Sequence, residues 1–480
     1  MHSIKWVGLF LLVGLFHTGY GQDTIIAPVY DPGKLPEVHH FSLKQVLAYA
    51  EKNNVQVKNA LLDVSLQEQV NKEVTGRAYP HIMGSANLTY NPGIMRQRIP
   101  NFFAPGVIGV LAQYGVKDKD GNPIVFDPNF DYGYIEMAFG TPWTSNAGVS
   151  LSQLLFDGQV FTGLQARKTL IDFQKKNIEV TWEQVQTNIT KIYYQLVVSR
   201  TQIALLDTNI ALVRKLQHDM KIMYDNGFAE KLDIDKQTVQ LANLQSTKTN
   251  VLNQIINGYT GLKVLMGMPV NDQLVLTDRL TDDMIKAGIL EALDFDYRKR
   301  KDYQYALLGE KLGEYDIQRY KLSKIPTLSL SSNYTKMAQR ESLGGLFKSQ
   351  WFGMSSVAVG LQIPIFNGFA TNALIQEARI KLQKTQNQLE ALKLNIDREI
   401  NTSVNDFRAA LQNLDFQKDN MELATRIYNQ TKKKYEIGTG SQLEINSARA
   451  DLEKAQANYY DALYKAVVAR VDFLKATGKL

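Results

Sequence analysis

Few residues in this 480-residue sequence have the type and spacing to do chemistry. There is no cysteine, so thiolate nucleophiles, disulfides and cysteine-held metals are excluded. The one adjacent histidine pair, His39-His40, lies in a proline-rich stretch with no acid cluster beside it. Gly438-Thr439-Gly440 has the look of a phosphate loop, but it follows helical sequence rather than a strand and lacks the lysine that would grip a phosphate. Enzyme activity, a cofactor and a metal are therefore not expected. What does stand out is a motif that occurs twice. Tyr224-Asp-Asn-Gly227-Phe-Ala-Glu-Lys-Leu232-Asp233-Ile234 and Tyr435-Glu-Ile-Gly438-Thr-Gly-Ser-Gln-Leu443-Glu444-Ile445 share Tyr, Gly, Leu, an acid and Ile in register, 211 residues apart.

The chemistry of that motif is conformational and electrostatic. A glycine after a helix supplies a left-handed residue at little steric cost. An acid six residues later falls in the first turn of the next helix, where negative charge suits the positive end of the dipole. Each copy thus predicts a tight reversal between two long antiparallel helices, and two copies in register predict a duplicated unit.

The elements that carry these turns follow from the rest of the chain. Lys5, the apolar run Trp6–Phe16 and the small residues Gly19 and Gly21 predict a signal peptide over 1–21, cut before Gln22. The run is too short for a spanning helix, which needs about 20 residues. Residues 22–41, with Pro28, Pro32 and Pro36, are expected to form an extended arm. The formal charge of +6 is mild and interleaved, which leaves no basic face for nucleic acid. No later run reaches 18 consecutive apolar residues, so a membrane contact would have to be made by strands.

The first repeat is expected over 42–282. It opens with a helix from the cap Ser42 that breaks near Asn53-Asn54, then a strand at 81–90 with Ile82, Ala86, Leu88 and Tyr90 opposed to Ser85, Asn87 and Thr89. Residues 91–146, rich in Pro, Gly and aromatic side chains, predict a long extracellular loop, and 147–156 a second strand. A helical hairpin follows over 158–266. The second repeat, 283–480, carries helices near 283–294 and 298–322, strands at 327–335 and 353–365, and a hairpin over 368–478. Its joint Phe366-Asn367-Gly368 matches Phe156-Asp157-Gly158, 210 residues earlier. Leu389, Leu392, Ile396, Ile400, Val404 and Phe407 follow coiled-coil spacing.

Four amphipathic strands cannot close a membrane barrel, whose smallest members have about eight, and open edges are not viable in lipid. Three copies would supply 12 strands. On the duplicated order of elements, the Phe-Asp/Asn-Gly joints and the paired tips, the chain resembles the TolC-like outer-membrane efflux proteins over essentially all of its mature length. The resemblance implies a mainly α fold with a transmembrane β part: a homotrimer whose 12-stranded β-barrel in the outer membrane continues into a long periplasmic α-helical barrel. It implies an exit channel of a tripartite efflux or type I secretion pump, with a periplasmic adaptor protein, an inner-membrane pump and outer-membrane lipid as partners. It further implies that Gly227, Leu232, Gly438 and Leu443 form adaptor-docking tips and that Tyr435, Asp233 and Glu444 restrain or line the periplasmic entrance. The sequence departs from the family at Gly440, where some members carry a locking arginine, and at Ser447, where a second acid is often found. The competing reading is a soluble periplasmic coiled-coil adaptor or scaffold.

Overall fold

The computed structural model of the chain describes residues 37–278, 280, 285, 295–348 and 350–480. The expected signal peptide, nearly all of the expected N-terminal arm and nearly all of the expected helix 283–294 lie outside the described residues.

The arm's last residues are not free. Strand β1 (Val38–Phe41) pairs in parallel with a distant partner, Gln273–Leu276. Helices α1 (Leu43–Asn53) and α2 (Val55–Gly76) meet at Asn54. That side chain accepts from Val57 N at 3.0 Å and donates to Leu265 O at 2.6 Å, so the break is capped and pinned to a neighbouring helix.

Strand β2 (His81–Tyr90) starts the main sheet. The stretch expected to be a long loop, with no elements of its own named, holds a ladder of β3 (Met95–Pro100) with β4 (Tyr134–Phe139) and, between them, helix α3 (Phe103–Gln113). This corrects the loop assignment. Pairing of Ile99 with Ile135 and Gln97 with Met137 gives the hairpin one largely apolar face, an alternation hidden by the surrounding Pro and Gly. Strand β5 (Trp143–Phe156) begins inside the expected loop.

Helix α4 (Gly158–Asp225) is 68 residues long, roughly 100 Å at about 1.5 Å per residue. One 18-residue window of it is apolar enough to cross a bilayer by composition, although no apolar run in it is unbroken. It packs against α1, α2, the return helix α5 (Lys231–Met266) and two later helices, and 33% of that apolar window is buried within the chain. Strand β6 (Gln273–Leu276) closes the first half against β1. The second half comprises α6 (Lys301–Leu322), β7 (Thr327–Arg340), the single turn α7 (Gly345–Lys348), β8 (Phe352–Gln362), α8 (Ala370–Glu436) and α9 (Gln442–Ala476). Strand β7 runs five residues past its expected end. Strand β8 stops before Ile363, because Pro364 has no N–H to donate and pushes its predecessor out of regular pairing.

The sheet is antiparallel in the order β2-β5-β7-β8, and β2 and β8 each have one unpaired edge among the described residues. Cross-strand register puts Val149, Leu151, Leu328, Leu330, Val357, Val359 and Leu361 on one face. Ser150, Ser329, Ser331, Asn333 and Ser356 lie on the other. Below the sheet, one core gathers Val46, Val57, Ile189, Tyr193, Leu262 and Met266, and another Phe407, Leu414, Leu463, Val467 and Phe473. Arg300, 2% exposed, ties the lower part of the second half together. It meets Asp302 and Glu399 and donates to the carbonyls of Lys475 and Ala476 at the C-terminal end of α9, where a cation opposes the dipole.

Candidate functional site

Both turns close by the same hydrogen bonds. In the first, Gly227 N donates to Tyr224 O at 2.9 Å and Phe228 N to Met223 O at 2.7 Å. In the second, Gly438 N donates to Tyr435 O at 3.0 Å and Thr439 N to Lys434 O at 2.9 Å. This paired arrangement, with φ of 80° at Gly227 and 78° at Gly438, is a Schellman close of each outgoing helix. The two glycines are interchangeable in role, and any other residue would be strained there.

The turns hold apolar side chains out in water. Leu232 is 57% exposed and Leu443 79%, and beside them Phe228 is 80% and Ile437 74% exposed. Of the three entrance residues, Glu444 completes a capping box with Ser441, its carboxylate accepting from Ser441 N at 3.4 Å while Ser441 Oγ accepts from Glu444 N at 3.2 Å. Asp233 pairs with Lys236 on its own helix at 3.2 Å. Tyr435 packs on the second hairpin's core beside Ala424, Tyr428, Ile445 and Ala448 and points its hydroxyl at Met223 Sδ, 3.9 Å away. Burial raises the Tyr435 pKa, and the charges of Asp219 and Asp233 add to it. Asp233 therefore acts on Tyr435 through space, without a direct hydrogen bond to its phenol.

Gly440 is explained sterically. A Cβ there would lie 2.9 Å from Tyr435 N and 3.1 Å from Lys434 C, and Gly440 N donates to Lys434 O at 3.0 Å. The turn is wound so tightly that only hydrogen fits.

One polar cluster that joins the two hairpins lies farther from the turns, on the return helices. Arg449, 4% exposed, donates Nη1 to Gln237 Oε1 at 3.3 Å, and Gln237 Nε2 donates to Asn446 Oδ1 at 3.2 Å. Gln240 Nε2 donates to Glu453 Oε2 at 3.3 Å, and Arg449 Nε faces Glu453 Oε1 at 3.6 Å. Burial lowers the Arg449 pKa and raises that of Glu453, each opposed by the other's charge. Sequence reasoning passed over this cluster. The available signal was Arg449 itself, four residues after Ile445 and three before Leu452, in the apolar stripe of α9.

His39, expected to lack acid partners, is brought by the β1–β6 pairing to 3.5 Å from Asp272 and lies 3.7 Å from Glu37. No group of three or more metal-ligating side chains occurs among the described residues.

Comparison with known proteins follows the same outline. Residues 299–479 match the family model described as outer membrane efflux protein. The outer membrane efflux protein BepC of Brucella suis is 20% identical over 70% of this chain and 73% of its own length. The outer membrane protein TolC of Escherichia coli is 20% identical over 74% and 73%. In three dimensions, a crystal structure of CusC overlays with a TM-score of 0.70 at 15% identity, covering 91% of this chain and 92% of that one. The CmeC outer membrane channel of Campylobacter jejuni gives 0.69 at 17% identity, covering 91% and 85%. The likeness thus spans both halves of the chain. Over most of its length this chain is similar to TolC-like outer-membrane efflux proteins. Its seat is the cell outer membrane, and within the TolC-like fold the turns described above are the two ends farthest from the sheet.

Proposed function

We propose that three copies of the chain assemble into the outer-membrane exit channel of a tripartite efflux system, a 12-stranded barrel continued by a helical tunnel. The observation that carries this reading is the four-stranded sheet whose two edges, β2 and β8, have no partner among the described residues, while one face of its lower part gathers Val149, Leu151, Leu328, Leu330, Val359 and Leu361 and the other Ser150, Ser329, Ser331 and Asn333. An edge strand presents a row of unpaired N–H and C=O groups, and lipid offers them nothing. Pairing β8 of one copy with β2 of the next around a threefold axis would satisfy every edge. The apolar face would then meet lipid and the Ser- and Asn-rich face the lumen. A soluble adaptor or scaffold has no use for such a sheet.

The tips fit this assignment. Leu232, Phe228, Ile437 and Leu443, held outward by rigid turns, would give an adaptor protein apolar anchors at the periplasmic end, in the manner of interface hot spots. Tyr435, Asp233 and Glu444 would line the entrance, and an inner-membrane pump would deliver cargo through it. The test is twofold. Mass measurement of the detergent-solubilised protein should give a trimer, and planar bilayers should show discrete conductance steps. A monomer, or a trimer that conducts nothing, would overturn the proposal.

A further inference from the structure

The joint at which a strand of the main sheet becomes a long helix occurs twice, and its two copies have different surroundings. At the first, Gly158 is buried under the end of α6 and the approach to β7. A Cβ there would lie 2.8 Å from both Leu322 Cβ and Ile325 Cδ1. At the second, a Cβ on Gly368 would meet nothing within 4 Å among the described residues. Ile365, Phe366 and Phe369 stand exposed around it, Phe369 at 69%. Phe369 is also the one residue other than glycine, among those described, with a positive φ, 65°. Its ring meets that of Phe366 edge to face at 5.3 Å. Backbone strain of this kind persists where the surroundings hold it in place.

The chain itself shows what covers such a joint. Helices α2, α4, α6 and α8 lie side by side in that order, the order of the strands β2, β5, β7 and β8 that they adjoin. Helix α6 matches α2 in sequence: Ala306-Leu307-Leu308, Leu312 and Pro326 repeat Ala60-Leu61-Leu62, Leu66 and Pro80 at a single offset. Leu307, Leu308 and Leu312 are half-buried on α6, which has α4 on one side and α8 on the other. Leu61, Leu62 and Leu66 are exposed on α2, which has α4 on one side. The bare side of α2 thus corresponds to the side of α6 that α4 covers, and the helix that corresponds to α4 is α8. Within one chain α2 and α8 border opposite edges of the layer, so the α8 that meets this side of α2 belongs to a second copy.

We propose that the second joint is completed by the next copy of the chain, with Phe366 and Phe369 seated against Gly76, Tyr79 and Ile82 where its α2 leads into β2. The inference rests on the trimer reading above. At the α2–α6 offset, Gly76 stands where α6 has Leu322, Tyr79 where Ile325 lies and Ile82 where Leu328 lies. Phe369 in turn stands where the first joint has Gln159. The leucine that crowds the first joint is replaced by a glycine whose own Cβ would meet nothing within 4 Å, and the room this leaves suits the larger ring. Phe156 faces Leu328 across β5 and β7, so Phe366 comes beside Ile82 of the next copy, and both are exposed in the single chain.

The experiment uses the full-length protein in mild detergent, with trimer dissociation followed by native mass spectrometry. Gly76→Leu should dissociate at least about tenfold faster than wild type, as an overpacked contact does. It leaves α2 itself sound, since leucine favours a helix more than glycine does. Gly76→Leu combined with Phe369→Gln restores the residue pair of the first joint and should recover most of the loss. Phe369→Gly relieves the strained φ and should nonetheless weaken the trimer. Because the chain has no cysteine, Phe366→Cys with Ile82→Cys should join copies through disulfides on mild oxidation, and neither alone should. An unchanged Gly76→Leu trimer, no recovery in the swap, or a trimer that does not cross-link would each overturn the seat. Phe369→Gly as stable as wild type would show that the rings serve lipid instead, and would overturn it too. A wild-type protein that is monomeric would mean that the trimer reading has failed, and the seat with it.

Discussion

Replacing Arg449 by methionine tests what holds the two hairpins together. The side chain is 4% exposed, crosses to the first hairpin through Gln237 at 3.3 Å and faces Glu453 at 3.6 Å. A hydrogen bond to a charged group contributes about 1.5–3 kcal/mol, and stranding one half of a buried pair costs about 3–5 kcal/mol. Glu453 keeps its side chain 18% exposed and accepts from Gln240, so the stranding term is softened by water. About 2 kcal/mol per protomer is the expected loss, or roughly 30-fold in a two-state balance. Single-channel recording should therefore show the open level of Arg449→Met occupied at least about 30-fold more than in wild type, the factor that one protomer alone contributes. Arg449→Met with Glu453→Leu removes both charges and fills the space with apolar groups, an exchange that is often neutral or stabilising. The double variant should return to within about fivefold of wild type. Tyr435→Phe, which loses only a weak contact to a thioether sulfur, should change little. An unchanged Arg449→Met, or a double variant more open than the single, would refute the reasoning.

Glu453 makes a pH prediction. Burial raises its pKa above the usual 4.5, so the folded state binds more protons than the unfolded between the two values, and this group adds stability as pH falls through that window. The thermal midpoint of wild type relative to Glu453→Gln should rise on going from pH 7 to pH 4, and a constant difference would reject the assignment. Gly440→Arg should not install a lock; its Cβ would meet backbone at 2.9 Å, so the turn should loosen by about 1–3 kcal/mol, read as faster proteolysis between Lys434 and Leu443. Val359→Lys should cost about 2–4 kcal/mol if it lies near mid-membrane, and Ser331→Lys much less; equal trimer yields from the two would reverse the face assignment. Joining Ile94 to Gly140 through a short Gly-Ser link should leave trimer assembly intact, because β2 and β5 still pair from Tyr90 to Trp143; failure to assemble would show that α3 and its hairpin stabilise the barrel.

How much of this was legible in the sequence depended on periodicity. Strands such as His81–Tyr90 and helices such as α8 repeat one pattern for ten residues or more, and both tip turns announce themselves by glycine and acid. The hairpin around α3 did not, because six-residue strands broken by Pro and Gly carry too few alternations to outweigh those breakers. The joint at Gly368 also hid a difference between the repeats. Asp157 caps α4 through Gln159 N at 2.7 Å, whereas Asn367 turns to Thr371 and leaves Phe369 at φ 65° to start α8. Side-chain partners across the hairpins were beyond the sequence altogether. Asp233 and Tyr435 have the right types for a bond, but a lysine one helical turn away and a methionine on the other hairpin are nearer.

The pairing of β1 with β6 has a consequence in time. Val38–Phe41 finds its ladder in Gln273–Leu276, and Glu37 N reaches Asp272 Oδ1 across 235 residues. A chain made from its N-terminus at about 5–20 residues per second needs roughly 12–50 s to deliver that partner. The entropy of closing so long a loop grows only with its logarithm, so the wait is kinetic rather than energetic. Helices α1, α2 and α4 can wind as they emerge, while the first strand stands with its edge bare. The opening segment is among the first to appear and among the last of its half to be tied down. Folding of the first half is thus complete only when its own last strand arrives, and an export chaperone has that interval in which to hold it.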